Sequence, residues 1–396
     1  MRVLHIGKFF PPHAGGIERF SADLVAALVQ RGVATAMLAH APAGTHRTQH
    51  FLVDAVDVTL AACHGQLVYA PLSPAFPWLL SRTLARFKPD LLHLHVPNTS
   101  AFWALLLPAA RRLPWVVQWQ ADVPLDVIRP SLRAAAMLYR PWENSLLRRA
   151  KKIIASSQPY RDSSATLAAW LDKTEVVPLG LPPAKDNADK AKSIQWPCAG
   201  LRLLAVGRLS YYKGFDVLLR ALAQVPQVGL VLIGDGESAA PLKALAQDLG
   251  VSSRVCFAGH VDDATLAATY ANAEVFCLTS IERTESFGMV LLEAMRARLP
   301  VIASAIAGSG VGYVVADQIS GLLVAPGDAA ALALALQRLA TDAHLRTRLG
   351  QAGYARWLSE FTLDRSADQI LALYRVMLEA NAHRATAAPG DSPPPV

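Results

Sequence analysis

Four charged side chains stand where they could handle a phosphate and a sugar. Arg208 and Lys213 follow the apolar run Leu201–Val206 in the stretch Val206-Gly207-Arg208-Leu209-Ser210-Tyr211-Tyr212-Lys213-Gly214-Phe215. Two cations just ahead of a helix start can hold a diphosphate and stabilise it as it leaves. Glu285 and Glu293 lie in Glu282-Arg283-Thr284-Glu285-Ser286-Phe287-Gly288-Met289-Val290-Leu291-Leu292-Glu293-Ala294-Met295, which follows the apolar run Val275–Leu278 and enters a helix. Gly288 permits an irregular helix start, so that amides near Phe287, Gly288, Met289 and Val290 face phosphate or sugar oxygens. One carboxylate can then accept from sugar hydroxyls and the other from ribose hydroxyls. Glu293 stands among apolar neighbours, and an acid on such a helix face needs a partner. A Gly15-Gly16 turn joins the first strand to the first helix and lets a ligand approach the backbone closely. Singly, each motif also fits an ordinary solvated loop or helix start.

The surrounding elements are those of parallel sheets. Short apolar runs at Val3–Gly7, Val33–His40, Leu91–Val96, Val116–Trp119, Lys152–Ser156 and Glu175–Leu179 alternate with amphipathic stretches such as Ile17–Gln30. The same grammar restarts at Leu201, with strands expected at Leu201–Val206, Gly229–Ile233, Arg254–Phe257, Val275–Leu278, Val301–Ala303 and Gly321–Val324. Continuous apolar strands imply sheets covered on both faces. The pattern predicts an α/β chain of two doubly wound, Rossmann-like domains facing across a cleft, with ligands at the carboxyl ends of the strands. Residues 1–182 form the first domain, 183–200 a Pro-bearing polar linker and 201–361 the second domain. A helix at 362–384 is expected to pack back toward the first domain, and 385–396 to be disordered.

Composition narrows the function classes. Among 396 residues, 53% are hydrophobic and 17% charged, which fits ordered globular protein. No apolar run approaches the roughly 20 residues of a spanning helix, and the start lacks the apolar core of a signal peptide. Cys63, Cys198, Cys256 and Cys277 form no C-x-x-C pair and read as reduced thiols of a cytoplasmic protein. Residues 1–195 carry a net +9 and the remainder −2. The basic excess gathers at Arg129, Arg133, Arg140, Arg148, Arg149, Lys151 and Lys152. It suits either an ordinary solvated face or peripheral contact with anionic lipid, helped by Trp78, Trp103 and Trp142. Nucleic acid is not expected, because no recognised binding pattern accompanies the charge.

Taken together, Glu285-x7-Glu293, the upstream Arg208 and Lys213, and Gly15-Gly16 resemble the GT4 family of retaining glycosyltransferases of GT-B fold. The match covers nearly the whole chain. The resemblance implies that Arg208 and Lys213 bind the donor diphosphate, Glu285 contacts the donor sugar, Glu293 holds the ribose, and Gly16 borders the phosphates. Ser280–Gly288, Gly308–Gly312, His93–Asn98, Tyr139-Arg140-Pro141 and Ser156–Tyr160 are similar to stretches of bacterial O-antigen mannosyl- and rhamnosyltransferases. That implies a GDP-sugar donor bound by residues 201–361, a polyprenyl-diphosphate saccharide acceptor bound by residues 1–182, and a place in lipopolysaccharide synthesis. The nucleotide sugar is a substrate, and no separate cofactor is expected.

One position departs from the family pattern. Where members usually carry a histidine, this chain reads Trp119-Gln120-Ala121-Asp122. Gln120 can position a sugar but cannot carry a proton, leaving Asp122 or His95 to assist. Of His93 and His95, only one is expected to face the cleft, with His93 a core residue. The sequence contains no Asp-x-Asp, so cations and amides rather than a metal are expected to neutralise the leaving group. The G-x-G-x-x-G spacing of a dinucleotide site is missing at Gly308–Gly312. An epimerase or phosphorylase on the same fold, or a non-catalytic sugar-nucleotide-binding scaffold, remain open alternatives.

Overall fold

The computed structural model describes residues 1–11, 15–67, 70–123, 130–184 and 194–386, with the side chains of 130–136 and 381–386 excepted. Arg129 of the basic group, most of the expected linker (185–193) and 387–396 of the expected tail lie outside the described residues. The chain divides into two units. The first comprises Met1–Ala155, Ala169–Val177 and the chain from Leu363 onward; the second comprises Ser156–Ala168 and Pro178–Thr362.

Unit 1 is built on strands β1 (Arg2–Phe9), β2 (Ala34–His40), β3 (Gln49–Val53), β4 (Val56–Ala61), β5 (Leu91–Val96), β6 (Trp115–Trp119), β7 (Lys152–Ala155) and β8 (Thr174–Val176). Their order in the sheet is β8-β7-β6-β5-β1-β2-β4-β3. Every pairing is parallel except that of β3 with β4. Helix α1 (Gly16–Gln30) buries Phe20, Leu24, Val25 and Leu28 along one stripe. Helix α2 (Pro130–Arg149) precedes β7.

Unit 2 repeats the design with β9 (Leu201–Val206), β10 (Val228–Ile233), β11 (Val255–Gly259), β12 (Val275–Leu278), β13 (Val301–Ser304) and β14 (Gly321–Val324), in the order β11-β10-β9-β12-β13-β14. All its pairings are parallel. Helix α3 (Phe215–Ala223) packs Leu218 and Leu222 into a core with Leu203, Leu230, Val275 and Leu336. Helix α4 (Met289–Arg296) packs on α5 (Ala343–Glu360).

Two segments join a unit other than their neighbours in sequence. Helix α6 (Leu363–Thr386) lies on α1 in unit 1, where Arg31 bonds Asp364 at 2.8 Å and Asp368 at 2.6 Å. Ser156–Ala168, read from sequence as part of the first domain, belongs to unit 2. Arg283 holds it there: its guanidinium stacks 4.0 Å from the Tyr160 ring and donates to Ser163 Oγ at 2.9 Å and the Tyr160 carbonyl at 3.0 Å.

The centre of unit 1 is a layer of buried imidazoles. His5 of β1 pairs in register with His93 of β5, and their rings stack at 4.7 Å. His93 and His95 are two residues apart, so both side chains leave the strand on one face. Their rings lie parallel at 4.6 Å, which corrects the expectation that only one could face a given side. His93 is a core residue, hydrogen-bonded to Tyr374 and, at 3.1 Å, to Gln118. His40 lies between the Lys8 carbonyl and Ser100 Oγ, at 2.6 and 3.0 Å.

Burial holds all four rings neutral. Desolvation pushes His40 and His95 down to about 4, and His5 and His93 well below the ordinary value, His95 adding to the effect on both. The unfolded chain takes up these protons near pH 6.5 and the folded chain resists until about 4. Stability is therefore full above pH 6.5 and is lost progressively as pH falls toward 4. At pH 5, His40 and His95 should each cost on the order of 2 kcal/mol. Thermal melts should show a markedly lower Tm at pH 5 than at pH 7.5, with His95→Gln flattening the slope. A Tm constant over that range would mean that the rings are not shielded as described.

Candidate functional site

In unit 2, β9 and β12 are sheet neighbours, yet the chain leaves β9 toward β10 and leaves β12 toward β13. The loops that follow them diverge at their carboxyl ends, the topological switch point where doubly wound sheets bind ligands. Both sequence motifs are these loops.

The loop after β9 turns through Tyr211–Lys213 and ends at Gly214, which has φ 61° and ψ 30° and caps α3. A Cβ at Gly214 would sit 2.2 Å from the Thr279 carbonyl oxygen, so glycine is required for both conformation and space. Two further bonds stitch the loops together: Ile281 N–H donates to the Tyr212 carbonyl at 2.8 Å and Thr279 Oγ1 to the Lys213 carbonyl at 2.9 Å.

This stitching drives Lys213 inward. Its Nζ lies 2.5 Å from Glu285 Oε2, and both side chains are about nine-tenths buried. Ser280 Oγ donates to the same carboxylate oxygen at 2.7 Å. Ser309 Oγ donates to the Glu285 carbonyl, and Gly310 N–H to the Ser286 carbonyl at 2.8 Å, which fixes the Glu285 loop from the far side. Burial draws the Lys213 pKa down, but the charge and hydrogen bond of Glu285, with Tyr212, outweigh it and leave it above the ordinary value. The ammonium has three donors and Glu285 uses one.

Arg208 differs from Lys213. It is 63% exposed and pairs with Glu237 at 3.2 Å, a surface contact of little energetic weight that an incoming anion could replace. Glu293 has the partner that its apolar surroundings demand: Tyr270 donates its hydroxyl to Glu293 Oε2 at 2.9 Å. Burial, reinforced by that carboxylate, raises the Tyr270 phenol well above its usual range. Gly288, at φ 82° and ψ 59°, caps α4 in the left-handed region. Phe287 is buried edge-on to Phe361, and Met289 and Val290 open the helix, where first-turn N–H groups lack intrahelical acceptors.

The unit 1 candidates are assembled differently. Gly15 caps α1 with extended backbone, Gly16 begins the helix, and Glu18 sits in its first turn. Gln120 follows β6, is buried, and lies with Nε2 3.4 Å from His95 Nδ1. His95 Nε2 is in turn 3.1 Å from His5 Nδ1. Asp122 Oδ1 accepts from Trp119 Nε1 at 2.9 Å. Sequence reasoning missed Tyr270 and gave no role of their own to Ser280, Ser309 and Arg283, which lie in the stretches named above. Ser280 could have been found from its spacing to Glu285, whereas the other three meet their partners only through the fold.

Comparison with known proteins shows the family. Residues 187–356 match the model described as glycosyl transferases group 1, and residues 15–180 match a glycosyl transferase 4-like domain. The chain is 29% identical to the O-antigen chain mannosyltransferase C of Escherichia coli, over 96% of this chain and 100% of that protein. It is 30% identical to a phosphatidyl-myo-inositol mannosyltransferase of Mycobacterium leprae, over 95% and 97%. A solved sucrose-phosphate synthase from Thermosynechococcus elongatus superposes with a TM-score of 0.78 at 25% identity, covering 96% of this chain and 99% of that one. A chain matched end to end in this way, with its chemistry-bearing loops at the switch point of the second sheet, belongs to the group 1, GT4-like glycosyltransferases.

Proposed function

We propose that the protein is a retaining, metal-independent hexosyltransferase that moves mannose or rhamnose from a GDP-sugar to a lipid-linked saccharide in lipopolysaccharide or O-antigen synthesis. The observation that carries the donor site is the buried Lys213–Glu285 pair at the switch point of unit 2. Support for the pathway comes from the O-antigen mannosyltransferase named above.

On this proposal the diphosphate takes the Lys213 donors that Glu285 leaves unused and draws Arg208 from Glu237. Amides at the start of α4 contribute partial positive charge. Glu285 accepts from donor-sugar hydroxyls, and Glu293 from ribose hydroxyls. The glycosidic bond to phosphate lengthens toward an oxocarbenium-like state while the acceptor hydroxyl attacks from the same face. Its proton passes to the departing phosphate oxygen, so no histidine is needed at position 120. Exposed Trp78, Trp103 and Trp142 suit peripheral docking on anionic lipid. Among the described residues no helix is long and apolar enough to cross a membrane.

Calorimetry with GDP, UDP, ADP and NAD is expected to show preferential GDP binding, weakened in Glu293→Ala. Preference for UDP would overturn the GDP assignment, no nucleotide binding at all would overturn the donor site, and binding of the sugar nucleotide without turnover would favour the scaffold alternative that Gln120 suggests.

The ion pair yields a second expectation. Lys213→Met leaves the Glu285 carboxylate buried and unpaired, which should destabilise unit 2 by about 3–5 kcal/mol and abolish turnover. Glu285→Gln keeps the shape but leaves the Lys213 ammonium buried without its counter-charge, so it should lose stability on the same scale. The folded protein should bind nucleotide yet lose at least about a hundredfold in turnover, the scale of a lost transition-state hydrogen bond. Turnover unchanged in Glu285→Gln or Arg208→Ala would remove these residues from the mechanism.

A further inference from the structure

Unit 1 has its own switch point, between β1 and β5, and a group of polar atoms that the donor site does not use lies beside it. Asn98 follows β5 and is 2% exposed. Its Oδ1 accepts from Ser100 N–H at 3.0 Å, but Nδ2 has no partner among the described residues. Glu143 of α2 is 5% exposed and its Oε1 is likewise unpartnered among them. The Tyr139 hydroxyl, one turn earlier on the same helix, meets the Asn98 backbone and has no side-chain partner among the described residues. Buried polar atoms are nearly always hydrogen-bonded, and two orphans beside an under-used hydroxyl on adjoining elements are a costly arrangement for stability alone.

We propose that Asn98, Tyr139 and Glu143 form a recognition site for the hydroxyl groups of the saccharide acceptor. The inference rests on the transferase function proposed above and names a site in unit 1 separate from the donor loops. The three side chains offer an amide donor, a hydroxyl that does both, and a carboxyl, a set that matches adjacent hydroxyls on a sugar ring. Aromatic walls adjoin them: Phe102 lies 5.0 Å from the Tyr139 ring and 6.2 Å from Trp142, which is 43% exposed and presents a flat apolar face to a pyranose. Apolar walls with a few convergent polar groups are the general form of a small-molecule site. Access requires α2 to give, and Pro141 lies between Tyr139 and Glu143, where it removes a helix hydrogen bond.

The charged surroundings favour a carboxyl able to act both ways. Burial, then the nearby Asp122 charge, push Glu143 up to about 7 against the opposing pull of Arg140. Near neutral pH it can donate a hydrogen bond when protonated and accept when ionised. Burial and the Glu143 charge also raise the Tyr139 phenol, which stays protonated.

The test uses the full chain with methyl α-D-mannopyranoside as probe, read by saturation-transfer NMR without nucleotide, and GDP calorimetry in parallel. Wild type should give a saccharide signal that Glu143→Gln and Asn98→Ala weaken by at least about tenfold, the cost of a lost hydrogen bond to a charged group. GDP affinity should be unchanged in both. Glu143→Gln should also raise Tm, because it removes a buried carboxyl whose Oε1 lacks a partner among the described residues; a purely structural Glu143 would lower it. No saccharide signal from wild type, a signal undiminished in both variants, or a lowered Tm for Glu143→Gln would overturn the proposal. Loss of GDP binding by wild type, with the saccharide result intact, would count against the donor site instead.

Discussion

The second unit is organised around one buried ion pair. Removing the Lys213 ammonium and the Glu285 carboxylate from water costs several kcal/mol for each, and their attraction offsets this only with good geometry and further hydrogen bonds. Both conditions are met, at 2.5 Å between the charges and with Ser280 on the same oxygen. The pair therefore constrains its surroundings. Gly214 must lack a side chain so that the loop can press on Thr279, and Ser309 and Gly310 must bond the backbone at Glu285 and Ser286. A well-packed apolar pair would stabilise such a position as well or better. Retention of two charges at a switch point is thus more readily understood through ligand chemistry than through folding.

The two units use the same topology to make opposite interiors. Parallel strands with crossover connections bring loops together at one edge of each sheet. In unit 2 that edge is ionic. In unit 1 the core behind it holds His5, His93 and His95, which burial keeps neutral. Neutral imidazoles can share hydrogen bonds and stack without the desolvation cost of charge, which explains why four fit in one core. On the proposed function the charged edge suits a diphosphate and the neutral one suits a saccharide, so the chemical division of labour follows the electrostatics.

The central strands were legible because they are buried and read as unbroken apolar runs; β5, β9 and β12 match the expected spans residue for residue, as does the edge strand β14. The hairpin of β3 and β4 was not. β3 is exposed at all five positions, and its turn uses Asp54 and Ala55 at φ 49° and 61° without a glycine to mark it. Arg208 and Lys213 were indistinguishable in sequence, since both are cations in one loop; only Gly214 packing on Thr279 decides that Lys213 is buried. The membership of Ser156–Ala168 was equally hidden, because its anchor, Arg283, is 120 residues away from Ser163. Glu293 is the converse case: the apolar neighbours announced a partner, and Tyr270 is that partner.

The absence of the usual histidine can be followed through the hydrogen bonds of unit 1. Ser21 Oγ donates to the Ile17 carbonyl at 2.9 Å, so it has no proton left for His95 Nδ1. The donor to Nδ1 is then the Gln120 amide, at 3.4 Å. A neutral ring that accepts at Nδ1 carries its proton on Nε2, which lies 3.1 Å from His5 Nδ1 and donates to it. His5 must therefore carry its own proton on Nε2, a buried atom that has no partner among the described residues. Polarity runs one way, from Gln120 inward, and fixes the amide with its nitrogen toward His95 and its carbonyl oxygen away from it. That oxygen can accept a hydrogen bond from a sugar but cannot supply or store a proton. The inward chain ends at an orphan N–H rather than at a base. On the proposed mechanism, proton transfer then falls to the departing phosphate, and Gln120 is left with the task of orienting a hydroxyl.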